Sequence, residues 1–222
     1  MTPATPASRD FATQAAANHK MSSFPVMQEE QVFVLTLRTT DDIAQQMQTL
    51  RRRWFPADRL KVPAHVTLFH ALPESRLPQV EDLITDLARH TPRFEISTGH
   101  VQRMRKGVLV NIREGDVDVH YLFATMRDAF MPWLMEQDKW CKAHWTIQNK
   151  EEDQDRVEDA FWDTQRVGTV LGWATGFTLW NYNDGHWLKE KDYDFQGGMR
   201  QRSLPPDQDY RVDVRSQWRR GS

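Results

Sequence analysis

Two short segments of this chain carry a histidine and a threonine in the same pattern. Residues 65–68 read His-Val-Thr-Leu and residues 144–147 read His-Trp-Thr-Ile. In a β-strand alternate side chains share a face, so each histidine and its threonine point one way and the apolar residues point into a core. Two facing strands of this kind would surround one small anionic group with two imidazoles and two hydroxyls.

That set of groups suits acid–base cleavage of a phosphodiester. One imidazole removes a proton from the nucleophile, and the other protonates the departing ribose oxygen. Hydroxyl donors stabilise the charge that builds on the non-bridging oxygens. The pattern therefore predicts His65 and His144 as catalytic residues and Thr67 and Thr146 as phosphate-binding residues, without deciding which histidine is the acid and which the base.

Apolar periodicity predicts that each motif sits at the same place in a repeated β-α-β-α-β series. Two related halves packed face to face would place one motif on each wall of a central cleft. The first series comprises strand 31–37, helix 41–54, strand 65–72, helix 77–90 and strand 93–102. The second comprises strand 107–113, helix 119–135, the strand around His144, helix 151–164 and strand 170–182, the last forming a hairpin with 186–195.

Composition narrows the class of protein. A length of 222 residues fits one domain or two small lobes, and a net charge of −2 argues against bulk electrostatic coating of nucleic acid. Cys141 is the only cysteine, which excludes an intrachain disulfide and fits a reducing, cytoplasmic location. No apolar run approaches the roughly 20 residues of a membrane span, so no membrane partner is expected. Residues 1–29 and 199–222 are predicted to be tails, the first disordered, flanking a domain over 30–198.

The motifs resemble those of the two-histidine (2H) phosphoesterase superfamily, which includes 2′-5′ RNA ligase-like proteins and cyclic nucleotide phosphodiesterases. The resemblance rests on residues 62–68 (VPAHVTL), 143–147 (AHWTI) and 177–182 (FTLWNY), and covers roughly residues 31–195. It implies an α+β fold of two pseudo-symmetric lobes, each a small antiparallel sheet with outer helices. It also implies a metal-independent hydrolase acting on a 2′,3′-cyclic phosphate or a 2′-5′ phosphodiester. The expected partner is an RNA 3′ end or a small nucleotide, bound by a monomer without a cofactor.

Other residues are weaker candidates for the site. Arg105 and Lys106 precede a strand and are candidate phosphate contacts, while Tyr182 and Trp187 flank the hairpin turn and are candidates for base stacking. A solvated turn and core packing are the competing interpretations of these pairs. Residues 51–53 (Arg-Arg-Arg) are interpreted as an exposed helix end.

A metal centre is not predicted. His65 and His70 are five residues apart, which in a regular strand places them on opposite faces, and no cluster has the spacing of zinc or iron ligands. The alternative function is a non-catalytic module that binds RNA ends or nucleotides on the same fold. Two proton-transfer groups favour the enzyme, because binding alone does not need them.

Overall fold

The structure, a computed structural model, describes residues 30–183 and 185–198. The predicted tails, 1–29 and 199–222, and Asp184 in the hairpin turn lie outside the described residues. Within the described residues, no helix is long and apolar enough to cross a membrane.

The predicted repeat of elements is confirmed. The first series is β1 (Val32–Thr39), α1 (Asp41–Trp54), β2 (Val66–Pro73), α2 (Leu77–His90) and β3 (Phe94–Met104). The second is β4 (Gly107–Ile112), α3 (Asp116–Phe130), β5 (His144–Gln148), α4 (Gln154–Val167) and β6 (Leu171–Asn183), followed by β7 (His186–Asp194).

The strands form one antiparallel sheet in the order β1-β2-β5-β4-β3-β6-β7, and β1 also pairs with β6. These pairings are unchanged when the strands of the two series are exchanged: β1–β2 corresponds to β4–β5, and β1–β6 to β4–β3. The α+β class with antiparallel pairing is confirmed, but the strands do not divide into two separate sheets. The reason is that β6 pairs with β3 through residues 171–174 and with β1 through residues 174–181, and so joins both halves.

Amphipathic helices cover one side of this sheet. In α1, Ile43, Met47 and Leu50 are buried at helical spacing, and the helix packs against β5 and β6. Helix α4 begins after Asp153, whose carboxylate accepts from the backbone N–H of Asp155 and Arg156, and it packs against β3, β4 and β5.

Helix α3 is shorter than predicted. It ends at Phe130 and is followed by a 3₁₀ turn, Met131–Trp133, rather than continuing to residue 135. Pro132 accounts for the difference, since proline cannot donate a backbone hydrogen bond within a helix. The chain then runs through a second 3₁₀ turn, Glu136–Asp138, before it enters β5.

Candidate active site

The two motif strands are neighbours in the sheet. Val66 of β2 pairs with Trp145 of β5, and both side chains are fully buried on the side of the core. Leu68 and Ile147, two residues further along each strand, are buried as well. The predicted alternation within both motifs is therefore confirmed, and Trp145 is a core residue as expected.

The four polar residues of the motifs lie on the opposite face. Because the strands are antiparallel and paired at Val66 and Trp145, the register places His65 opposite Thr146 and His144 opposite Thr67. His65 and His144 are then diagonal neighbours across the two strands, and such neighbours lie about 7–8 Å apart. The sequence placed the motifs on two facing walls, whereas they lie side by side near the axis that relates the two series.

The two histidines make the same hydrogen bond. Nδ1 of His65 lies 2.6 Å from the carbonyl oxygen of Pro63, and Nδ1 of His144 lies 2.6 Å from that of Lys142. In each case the partner is the residue two positions earlier. A carbonyl oxygen only accepts, so Nδ1 carries a proton in both rings, and Nε2 is the nitrogen that holds the lone pair in the neutral ring and a second proton in the charged ring.

The surroundings of His65 oppose its protonation. The ring is half-buried and packs against Trp187, with ring centroids 4.4 Å apart. Burial lowers the pKa of His65 from 6.5 to about 4, and the positive charge of Arg51 adds to the effect. His70 and His144 contribute in the same direction, which places both rings within electrostatic range of His65.

Arg51 is buried, and the interpretation of residues 51–53 as an exposed helix end is wrong for this residue. It lies on the inner side of α1, four residues after Met47, and only 3% of it is exposed. Nη1 donates to the carbonyl oxygen of Thr146 at 2.5 Å, and Nη2 donates to that of Val62 at 3.3 Å. One guanidinium therefore ties the second motif to the loop that precedes the first motif.

That loop is held by α1 at a second point. The backbone N–H of Ala64 donates to Oε1 of Gln48 at 2.6 Å. Gln48 and Arg51 are three residues apart and so share one face of the helix. Together they fix the backbone on both sides of Pro63, the residue whose carbonyl orients His65.

The prediction that His65 and His70 face opposite sides of β2 is wrong. Thr36 of β1 pairs with Thr67, but the preceding residue, Leu35, pairs with Phe69, so β2 contains one extra residue at Leu68; a second shift of register lies between Phe69 and Leu72. This bulge turns Leu68 and Phe69 both into the core and returns His70 to the side of Thr67. The side chain of His70 is 57% exposed.

A buried carboxylate orients His70. Asp138, whose side chain is fully buried, accepts from the backbone N–H of His70 at 2.7 Å and from that of Ala71 at 2.9 Å. Its Oδ1 also lies 3.0 Å from Nδ1 of His70. Asp138 thus accepts from backbone N–H groups of β2 beyond the point where the pairing with β5 ends. It also leaves Nε2 of His70 pointing away from the protein backbone.

A row of polar side chains continues across the sheet from the motifs. Thr36 pairs with Thr67 on one side and with Thr178 on the other. Nε1 of Trp180 donates to Oγ1 of Thr36 at 2.8 Å, and Oγ1 of Thr178 donates to Asp192 at 2.7 Å. Because these groups are paired, the floor of the site is polar and fixed.

The structure places the weaker candidates differently. Trp187 contacts His65. Tyr182, which is 40% exposed, pairs with Trp187 across the β6–β7 hairpin. Arg105 and Lys106 form the turn before β4, at the opposite end of that strand from Asn111, which pairs with His144. Lys106 forms an ion pair there with Glu152 at 2.5 Å.

Sequence reasoning missed the contributions of Arg51, His70 and Asp138. For Arg51 a signal existed, since position 51 continues the apolar stripe of α1. For Asp138 none existed, because 68 residues separate it from His70. Among the described residues, no group of three or more histidine, cysteine or acidic side chains is placed to hold a metal ion.

Comparison with known proteins agrees with this architecture. The profile of the 2′-5′ RNA ligase superfamily matches residues 39–186, about two thirds of the chain. The chain therefore belongs to the 2′-5′ RNA ligase superfamily, and the resemblance to the two-histidine phosphoesterases is confirmed. Sequence comparison with curated proteins finds no match.

Solved structures share the fold. TT0787 of Thermus thermophilus aligns with a TM-score of 0.56 and 17% identity, over 76% of this chain and 100% of that one. LigT of E. coli complexed with 3′-AMP aligns with a TM-score of 0.54 and 15% identity, over 75% and 99%. LigT complexed with NADP⁺ gives 0.51 and 15%, over 76% and 99%. The family and this fold identify a phosphoesterase-type protein.

Proposed function

We propose that this protein is a metal-independent phosphoesterase that hydrolyses a 2′,3′-cyclic phosphate or a 2′-5′ phosphodiester at an RNA end or in a small nucleotide. The observation that carries the proposal is the shared hydrogen bond of His65 and His144. Each ring is oriented by a backbone carbonyl through Nδ1, which leaves two Nε2 atoms for proton transfer on one face of the sheet.

We assign the acid and base roles from the difference in surroundings between the two rings. His65, which burial and Arg51 keep neutral, accepts the proton of the attacking water in the hydrolytic direction. His144 donates a proton to the departing ribose oxygen as the P–O bond breaks. Thr67 and Thr146 donate hydrogen bonds to the non-bridging oxygens, on which negative charge increases in the transition state. In the reverse direction the two histidines exchange roles.

Related structures support a nucleotide substrate. LigT of E. coli, which has the same fold at 15% identity, was crystallised with 3′-AMP and with NADP⁺. Each of those ligands carries a ribose with a phosphate group. A ribose phosphate is the smallest ligand that includes both the leaving oxygen and the phosphoryl group required by the proposed chemistry.

Phosphorus NMR of the full chain with adenosine 2′,3′-cyclic phosphate and with a 2′-5′-linked diadenylate tests the proposal. We expect turnover of at least one substrate, unaffected by EDTA. His65→Ala and His144→Ala should each lower kcat by about 100-fold or more, the usual contribution of general acid–base catalysis. His90→Ala, which alters an exposed histidine on α2, is the control.

Two results would contradict the proposal. Turnover that is lost on chelation and restored by zinc or manganese would indicate a metal-dependent reaction. Nucleotide binding without turnover of either substrate would favour a non-catalytic module instead.

A further inference from the structure

A third imidazole lies beside the two catalytic candidates. Along the open face of β2 the side chains occur in the order His65, Thr67, His70, because the bulge at Leu68 shifts the alternation by one residue. Three residues at about 3.3 Å each, shortened by the bulge, place His70 roughly 7–10 Å along the strand from Thr67. His70 also affects the protonation of His65, in agreement with this placement.

We propose that His70, oriented by Asp138, binds a second phosphate group of the substrate, one nucleotide away from the phosphate that is cleaved. This inference rests on the proposed function, since it takes the phosphate between His65 and His144 as the scissile one. It narrows the substrate class from nucleotides in general to an RNA 3′ end that carries the phosphodiester preceding the terminal nucleotide.

The imidazole ring of His70 is held in one orientation. The carboxylate of Asp138 is fully buried and accepts three hydrogen bonds, two of them from backbone N–H groups that do not depend on the imidazole. Because these backbone bonds hold the carboxylate of Asp138 in place, it fixes the Nδ1 proton of His70 and directs Nε2 outward. The side chain remains 57% exposed, so Nε2 is accessible to a ligand.

The hydrogen-bond partner of His70 differs in type from those of the two motif histidines. His65 and His144 bond to carbonyl oxygens, whereas His70 bonds to a carboxylate. An imidazole that donates from Nδ1 to a carboxylate donates from Nε2 to a phosphate only as the imidazolium, which then forms charge-assisted hydrogen bonds to an anion on each side. That arrangement suits a group that stays bound to phosphate through the reaction rather than one that transfers a proton.

The distance from the motif residues to His70 fits the spacing of phosphates in a nucleotide chain. Successive phosphates of an extended nucleotide chain are separated by one ribose, a distance comparable to that between the motif residues and His70. A cyclic mononucleotide spans only the motif residues. A substrate with a preceding phosphodiester reaches both places at once, and the second contact adds to its affinity.

Calorimetric titration with adenosine 3′,5′-bisphosphate and adenosine 3′-monophosphate tests the inference without requiring turnover. We expect wild-type protein to bind the bisphosphate about tenfold or more tightly than the monophosphate, the scale of one charge-assisted hydrogen bond. His70→Asn keeps a donor near the position of Nδ1 and removes Nε2. This variant should bind the two ligands equally, with unchanged affinity for the monophosphate.

The matched control is His90→Asn, which alters another histidine bonded to an aspartate, Asp86, on the exposed surface of α2. It should retain the wild-type preference. If His70→Asn does not fold, His70→Gln is used instead. Glutamine carries an amide near the position of Nε2 but loses the bond to Asp138, so the preference for the bisphosphate should fall several-fold.

The inference is overturned if wild type shows no preference, if either folded His70 variant keeps the full preference, or if both affinities fall together. Its failure is separable from failure of the proposed function. Turnover of a cyclic phosphate without a bisphosphate preference would refute this inference alone. A preference that requires His70, without turnover of either test substrate, would refute only the proposed hydrolysis.

Discussion

Acid should destabilise this protein through His65. Burial lowers the pKa of His65 to about 4 in the folded protein, against 6.5 for an exposed histidine. The unfolded chain therefore binds more protons than the native state between these two values. Stability is unaffected by this group above pH 6.5, falls as the pH decreases from 6.5 to about 4, and does not change further below.

The magnitude follows from the two pKa values. At pH 5, a group with a pKa of 6.5 when unfolded and about 4 when folded favours the unfolded state by a factor of about 30, or about 2 kcal/mol. The ring of His65 is half-buried rather than fully enclosed, and solvent screening reduces the effect. We expect a loss of about 1–2 kcal/mol between pH 8 and pH 5.

Urea unfolding of wild type, His65→Gln and His90→Gln at both pH values measures this contribution. The free energy of unfolding of wild type should fall by about 1–2 kcal/mol more than that of His65→Gln, while His90→Gln behaves as wild type. Equal losses in wild type and His65→Gln would refute the reasoning. So would an NMR titration of the His65 ring with a midpoint near 6.5.

Three further outcomes are expected. Arg51→Met removes the hydrogen bonds to the carbonyl groups of Thr146 and Val62, at about 1–3 kcal/mol each. The melting temperature and kcat of this variant should fall, whereas Arg52→Met, on the exposed side of α1, should match wild type in both. Trp187→Leu uncovers the ring of His65, and the acidic limb of the pH profile of kcat/KM should move upward towards pH 6.5. Thr146→Val removes one hydrogen-bond donor and should lower kcat less than His144→Ala does; an equal loss would contradict the assignment of Thr146 as a phosphate-binding residue.

Local patterns in the sequence predicted the elements well, because helix and strand periodicities are set by nearby residues. The stripe of Ile43, Met47 and Leu50 predicts α1, and the alternation around Val66 and Trp145 predicts both motif strands. The place of each motif within its series was also predicted, since it depends only on the order of elements.

The arrangement of the strands could not be read in the same way. That β2 and β5 are neighbours depends on pairings between distant parts of the chain, and periodicity carries no information about them. The sequence also gives no signal of the bulge at Leu68, because an extra apolar residue in a strand resembles an ordinary core position. This one residue reverses the predicted side of His70, and only the register with β1 reveals it.

The two-fold relation of the motifs raises the question of how two similar histidines would acquire the different roles that we propose for them. Their hydrogen bonds are equivalent, so the difference must come from what surrounds each ring. Arg51 acts on His65 and breaks the symmetry of the two motifs. It donates to the carbonyl groups of Val62 and Thr146, and its charge makes a positive charge on His65 less favourable. Because a bound phosphate attracts a proton to one of the two rings, the ring beside Arg51 is the less favourable position for it. In the proposed mechanism, the guanidinium that holds the motifs together therefore opposes the choice of His65 as the acid. On this argument Arg51→Gln, which removes the charge but retains a donor, should move the acidic limb of kcat/KM upward even if the fold is unchanged, whereas a purely structural arginine would leave the pH profile where it is.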